Sequence, residues 1–214
     1  MELLPLLTAV SLGFLHALEP DHMAAVTTFV SRRPRPLEAL GFGLRWGLGH
    51  SAAILVVGSV LIALGIRVPE RVVDGLEFGV GTMLLCLGAW LLWSVVHGEA
   101  HALADREHAH PGHAHPHRHG SGSVWVGMAH GLAGTAPLVA VVTVTVSSSP
   151  WVAGVYLLLF GLGTTAGMGL YAATAGAVFN QAQHRVPALG GTLRTLTALG
   201  SAVLGVFWMV NAVV

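Results

Sequence analysis

The chain has 214 residues, 54% of them hydrophobic and only 9% charged, with a formal net charge of +0. A soluble domain carries roughly a quarter charged residues, so this composition cannot coat a water-exposed surface and predicts an all-α integral membrane protein. The absence of lysine and of any net positive charge gives nucleic acid nothing to bind.

Runs long enough to span a bilayer, roughly 20 apolar residues each, fall near 3–30, 37–65, 74–96, 123–147, 150–180 and 190–213. The first opens with MELLPLLTAVSLGFL, which has no basic region ahead of its apolar stretch and runs on into polar residues. It reads as a span rather than a cleaved leader. It is also longer than one crossing requires, and Pro20 removes a backbone donor at its middle, so the first helix is expected to be broken at Pro20. At the same place the chain crowds together His16, Glu19, Asp21 and His22, in HALEPDH. An aspartate at the centre of a spanning helix costs at least ~2.5–3.5 kcal/mol, which makes such a cluster a functional site by default.

The second run carries Arg45 and His50, the latter in GLGHS. The third holds Cys86, the only cysteine, which can form no intramolecular disulfide and is expected to be a small buried hydrophobe. Between the third and fourth runs lies a tract with eight of the thirteen histidines: His97, His101, His108, His110, His113, His115, His117 and His119. Interrupted by Pro111 and Pro116 and without apolar periodicity, it reads as a loop. Its composition suits divalent-metal binding for storage, sensing or delivery.

The fourth run brings His130 and a repeat. GFLHAL at 13–18 matches GMAHGL at 127–132, and GLGHSA at 47–52 matches GLGTTA at 161–166, both at an offset of 114. His16 thus overlays His130, and His50 overlays Thr164. Each unit has three spans, an odd number, so the expected architecture is six transmembrane helices arranged as two inverted three-helix repeats, a transporter arrangement. Residues 1–98 form the first repeat with the metal site, 99–122 the His-rich cytoplasmic loop and 123–214 the second repeat. Small-residue pairs such as Gly75 with Gly79 and Gly163 with Gly167 are expected to let helices approach closely. Arg32, Arg33 and Arg35, then Arg106 and Arg118, then Arg185 follow alternate spans, against only Arg67 and Arg71 on the other side. The positive-inside bias puts both termini outside the cytoplasm and the His-rich loop within it, in a multi-pass protein of the cell (inner) membrane.

On an unbroken helix His16 and Asp21 would lie about 140° apart, and His16 and His22 about 240°, at about 100° per residue. An unwound turn at Pro20 lets them face one ion, and irregular backbone at membrane depth is tolerated where it lines a cavity. Imidazoles with a carboxylate suit nickel, cobalt, copper or zinc. His50 is the natural fourth ligand, since its span should pack beside the first.

His16-x4-Asp21-His22 resembles the signature of the nickel/cobalt transporter family, and LRWGLGHS at 44–51 resembles its second motif. EPDHMAAVTTFVSRRP at 19–34 is similar to short bacterial members. The resemblance covers residues 13–58. Against the longer members of about eight spans, an N-terminal span is expected to be absent here, which would place the first motif in the first span. The resemblance implies a secondary permease for Ni²⁺ or Co²⁺, with Zn²⁺ as a further candidate, and with His16, Asp21, His22 and His50 as the site. Glu19 and His130 are accessory candidates, and His101, His108, His110, His113, His115, His117 and His119 an auxiliary metal-binding set. The metal is cargo, and no permanently bound cofactor is expected. The expected partners are the ion and the lipid bilayer, with a cytoplasmic metallochaperone or a second copy of the chain as further candidates. No GxxxxGK[ST] loop is present, so the chain is not an ATP-hydrolysing enzyme. Membrane potential favours cation entry by ~2.3 kcal/mol per charge per 100 mV, and uptake is the preferred direction. The alternatives are efflux through the same site, or a haem or quinone oxidoreductase with His16, His50 and His130 as axial ligands.

Overall fold

A computed structural model of the chain describes residues 3–32, 35–66, 68–104, 122–145 and 150–214. Arg33, Arg67, Arg106, Arg118 and the tract histidines from His108 to His119 lie outside the described residues. Seven helices are present among the described residues, with no strand: α1 (Leu3–His16), α2 (Pro20–Val30), α3 (Pro36–Leu64), α4 (Glu70–Ala104), α5 (Gly122–Thr145), α6 (Pro150–Arg185) and α7 (Pro187–Asn211). Four of them begin on a proline, whose fixed φ suits the first helical turn and whose missing N–H would have no partner there. α3 ends at Gly65, whose φ of 62° is the left-handed conformation glycine adopts without strain. There Ile66 N–H donates to the Leu61 carbonyl at 3.0 Å and Gly65 N–H to the Ile62 carbonyl at 3.2 Å.

The expected first span is two half-helices, of 14 and 11 residues. The break occupies residues 17–19 and Pro20 starts the second half. Glu19 is extended (φ −65°, ψ 148°), as the residue before a proline must be. The His16 carbonyl is not left free: Glu19 N–H donates to it at 3.0 Å in a tight turn. Helix ends also extend past the apolar runs. α4 starts at Glu70 and continues to Ala104, so the backbone at His101 belongs to a helix rather than to the loop expected from residue 99. HGEAHALA contains only one poor helix former, Gly98, and the helix continues through it.

Among the described residues, α3, α4, α6 and α7 are each long and apolar enough to cross a membrane. Their surfaces fit a lipid solvent: Val56, Val203 and Phe207 are exposed, while Asp21, His22, His50, His130 and Thr164 are buried. In water the reverse distribution is the rule. Cys86 is exposed on α4, contrary to the buried packing role expected of it, because the face of α4 that carries it is turned away from the other helices. Trp93, near the end of the apolar part of α4, and Trp125, at the start of α5, are exposed, as is Trp151 at the start of α6. Indoles at such helix ends suit a membrane–water boundary.

α3 lies at the centre, packed along α5 and α6, with α1 also against α6 and α4 against α7. The closest approaches are made at glycines and come in matched pairs. A Cβ on Gly13 would collide with the Phe160 carbonyl, and one on Gly127 with the Trp46 carbonyl. A Cβ on Gly49 would strike the Val124 carbonyl, and one on Gly163 the Val10 carbonyl. Both pairs obey the offset of 114 found in the sequence, as do Ser51 and Thr165, whose hydroxyls meet at 3.1 Å where α3 crosses α6. One feature breaks the correspondence. α5 remains helical at residues 131–134, where the offset would place the counterpart of the break.

Candidate metal centre

The broken helix supplies the first wall of the site. His16 is the last residue of α1, while Asp21 and His22 are in the first turn of α2. The unwound turn between them brings the rings of His16 and His22 to a centroid separation of 4.5 Å. His50, at the midpoint of α3, lies 5.4 Å from His16 and 4.8 Å from His22, ring to ring. His130, from the first half of α5, lies 4.3 Å from His22 and 5.8 Å from His50. The cluster is nearly dry: His22 and His130 are 2% exposed, His50 0% and Asp21 7%.

Hydrogen bonding assigns the ring protons. Asp21 accepts from His22 Nδ1 at 3.0 Å through one oxygen and from His130 Nε2 at 2.9 Å through the other. An ionised carboxylate only accepts, so both of those nitrogens carry hydrogen. His22 is then left with its lone pair on Nε2, and His130 with its own on Nδ1. Both atoms are buried without a hydrogen-bond partner, as is His50 Nδ1. Glu19 plays the same part for His16, 2.9 Å from its Nδ1, which turns the lone pair of His16 Nε2 toward His50 Nε2 at 3.2 Å. Carboxylates that hold the far nitrogen of an imidazole fix its tautomer and raise its basicity toward a metal. Orphaned, buried lone pairs cost free energy unless something fills them, and a divalent transition ion is the species these donors fit.

Two donor sets are within reach of one ion each: His16, His22 and His50, and Asp21, His22 and His130, with ligand atoms in each set no more than 4.8 Å apart. The expected quartet of His16, Asp21, His22 and His50 is thus one cluster whose members fall into two triads that share His22. His130, expected as an accessory, sits against Asp21. Glu19 is at the rim, its side chain 52% exposed. Arg45 is not part of the cluster; it is exposed and its guanidinium folds back along α3 toward Gly41. His101 has its backbone at the end of α4, and His97 stacks on Trp93 at 4.7 Å, well along α4 from the cluster. Thr164, the counterpart of His50 in the repeat, is a packing residue, its hydroxyl shared between the Gly13 and Phe160 carbonyls at 3.0 Å each.

Sequence reasoning missed the wall beyond His130. Trp46 is fully buried with its ring 6.0 Å from that of His130, and it packs with Phe29 and Phe42 at 5.7 and 5.6 Å. These aromatics lie between the cluster and the α2–α3 link. Phe29 and Trp46 fall on apolar positions of their helices, so nothing in the sequence distinguishes them from ordinary core. Arg194 was also missed. Its Nε donates to the Ser31 carbonyl at 3.0 Å, which ties the end of α2 to α7.

The profile described as "high-affinity nickel-transport protein" matches residues 4–188. The chain is 30% identical over 218 residues to a urease accessory protein, UreH, of Bacillus sp. (strain TB-90), covering 99% of this chain and 94% of that one. It is 28% identical over 167 residues to a candidate nickel/cobalt efflux system of Methanocaldococcus jannaschii, covering 76% and 72% of the two. A chloroplast protein of Arabidopsis thaliana, FOR GROWTH AND FERTILITY 2, is 27% identical over 206 residues, 93% of this chain and 54% of its own. No solved structure matches.

Proposed function

This chain belongs to the high-affinity nickel-transport protein family, and on that premise we propose that it carries Ni²⁺ or Co²⁺ through the cytoplasmic membrane by way of the cluster at the α1–α2 break. It is a nickel/cobalt permease and not an enzyme. The observation that carries the site assignment is the convergence of His16, Asp21, His22, His50 and His130 from three separate parts of the chain, with buried imidazole lone pairs and no protein partner for them. The oxidoreductase alternative fails on geometry as well as family. Four imidazoles with centroids 4.3–5.8 Å apart leave no flat slot for a porphyrin between them.

Chemically, the cluster supplies neutral imidazoles and one carboxylate that ligates or orients. This offsets only part of a divalent charge, as suits a site that must also release its ion. The ion replaces its water shell with nitrogen donors suited to nickel and cobalt rather than to oxygen-seeking magnesium or calcium. Uptake is our reading of the direction, since membrane potential draws a divalent cation inward by about 4.6 kcal/mol per 100 mV, twice the single-charge value. The efflux description of the archaeal relative keeps the opposite direction as the second reading.

For the architecture, we propose two inverted three-helix repeats: α1–α2, α3 and α4, then α5, α6 and α7. The paired glycine contacts at offset 114 support it, and so does the meeting of Ser51 with Thr165. Both termini then lie outside the cytoplasm, and the His-rich segment between α4 and α5 is a cytoplasmic metal-binding link.

The test is flux into proteoliposomes of Ni²⁺, Co²⁺, Zn²⁺ and Mn²⁺ by the wild type and His22→Ala. Nickel and cobalt should move, manganese should not, and His22→Ala should abolish movement in a protein that remains monodisperse. Unaltered flux in that variant would refute the site.

A further inference from the structure

His22 belongs to both donor sets, and its two ring nitrogens stand in different surroundings. Nδ1 lies 3.0 Å from Asp21, in the triad with His130. Nε2, buried and without a hydrogen-bond partner, is left to the triad with His16 and His50. The two nitrogens of an imidazole point in divergent directions within the ring plane, so no single ion can be held by both. A neutral imidazole also offers only one lone pair at a time. Resting on the permease reading above, we propose that the cluster is a two-position relay: an ion bound by His16, His22 and His50 passes to Asp21, His22 and His130, with His22 as the shared pivot and one ion present at a time.

The two positions differ in chemistry and in access. The first is an all-imidazole site in which Asp21 and Glu19 act from behind, holding His22 Nδ1–H and His16 Nδ1–H and aiming their Nε2 lone pairs inward. It borders the rim, since Glu19 is half-exposed and His16 only part-buried. The second is enclosed, all three of its residues being buried. There the ion takes the places now held by the protons of His22 Nδ1 and His130 Nε2, and binds the Asp21 carboxylate directly. The protons displaced from His22 Nδ1 and His130 Nε2 are returned, by way of water exchanged at the ion, to His22 Nε2, which the ion has left, and to His130 Nδ1, so each ring stays neutral and the transfer takes up and releases no net proton. The step moves the ion from three neutral ligands to a site with one negative charge, and from the Glu19 side toward Trp46.

The shared pivot makes the idea measurable. Because His22→Ala removes both positions, the Ni²⁺ bound by any form beyond that bound by His22→Ala counts ions at the cluster and subtracts the His-rich tract. With Ni²⁺ alone as probe, equilibrium dialysis of full-length protein should give one such ion in the wild type. It should give one in His16→Ala, one in His130→Ala and none in the double variant. His50→Ala should reproduce His16→Ala, an independent removal of the first position. In proteoliposomes His16→Ala and His130→Ala should each lose Ni²⁺ flux by at least about 100-fold while still binding, since each removes a ligand and removing only a partner behind a ligand already costs about 10–100-fold. Two ions in the wild type would overturn the relay, as would loss of the bound ion in either single variant, or near wild-type flux in both. Those results leave a transporting wild type intact. A wild type that moves neither Ni²⁺ nor Co²⁺ refutes the transport reading itself, and the relay with it.

Discussion

Asp21 meets two imidazole N–H groups with separate oxygens, at 3.0 and 2.9 Å, and so sets the tautomer of both rings from a single position. Asparagine in its place would keep the shape but lose the charge, and would present an N–H₂ to one of the two ring N–H groups. One ring must then turn or change tautomer, and the lone pair it aimed into the cluster goes elsewhere. Asp21→Asn is therefore expected to fold as the parent does and to lose nickel flux by at least about 10–100-fold, the range found when partners behind metal ligands are removed, with the loss of Asp21 as a ligand of the second position added to it. Vesicle flux together with gel filtration of the purified variant measures both halves of that statement. Glu19 does the same for one ring only, His16, from the exposed rim.

At the scale of elements, the site exists because helices approach one another backbone to backbone. α5 reaches α3 through Gly127 against the Trp46 carbonyl, and α1 reaches α6 through Gly13 against the Phe160 carbonyl. An added methyl at either point forces the helices apart, and overpacking of this kind costs typically about 1–3 kcal/mol. Gly127→Ala and Gly13→Ala should accordingly lower the thermal unfolding midpoint in detergent, to a similar degree because their contacts are equivalent. Gly75→Ala is the control: nothing lies within 4 Å of a Cβ there, and alanine is the better helix former. That variant should be neutral or slightly more stable, and equal losses at all three positions would contradict the packing described. The broken helix obeys the same logic. α2 is held at its far end by Arg194 on the Ser31 carbonyl and by Arg32 over the Trp90 ring at 4.5 Å, so the unwound turn is anchored on the side away from the cluster.

For the molecule as a whole, the described conformation is uneven across its depth. The cluster meets the exterior at Glu19, while Phe29, Phe42 and Trp46 close the way toward the α2–α3 link. Arg32 and Arg35 flank that link, in keeping with the cytoplasmic position proposed for it. The orientation is checked by reporters at the N-terminus, at the C-terminus and within residues 105–120, active only on one side of the membrane. Both terminal fusions should report the outside and the internal one the cytoplasm. The opposite pattern would invert the uptake route proposed above.

Much of this was open to inspection in the chain alone. A charged fraction of 9% settles the solvent, and a proline in an overlong apolar run marks the break, because its missing N–H removes the regular helical partner of the carbonyl one turn earlier. Ionisable residues at that break identify the candidate donors, since their burial is too costly to be incidental. The repeat at offset 114 drew attention to His130. Local signals end there. That His130 meets Asp21, that His22 belongs to both triads, that Thr164 packs against backbone carbonyls and that Arg45 turns away were decided only by the tertiary structure. The reason is distance. Metal ligation discriminates over tenths of an ångström, and residues on α2, α3 and α5 reach that tolerance only through crossing points set by glycines remote from them in sequence.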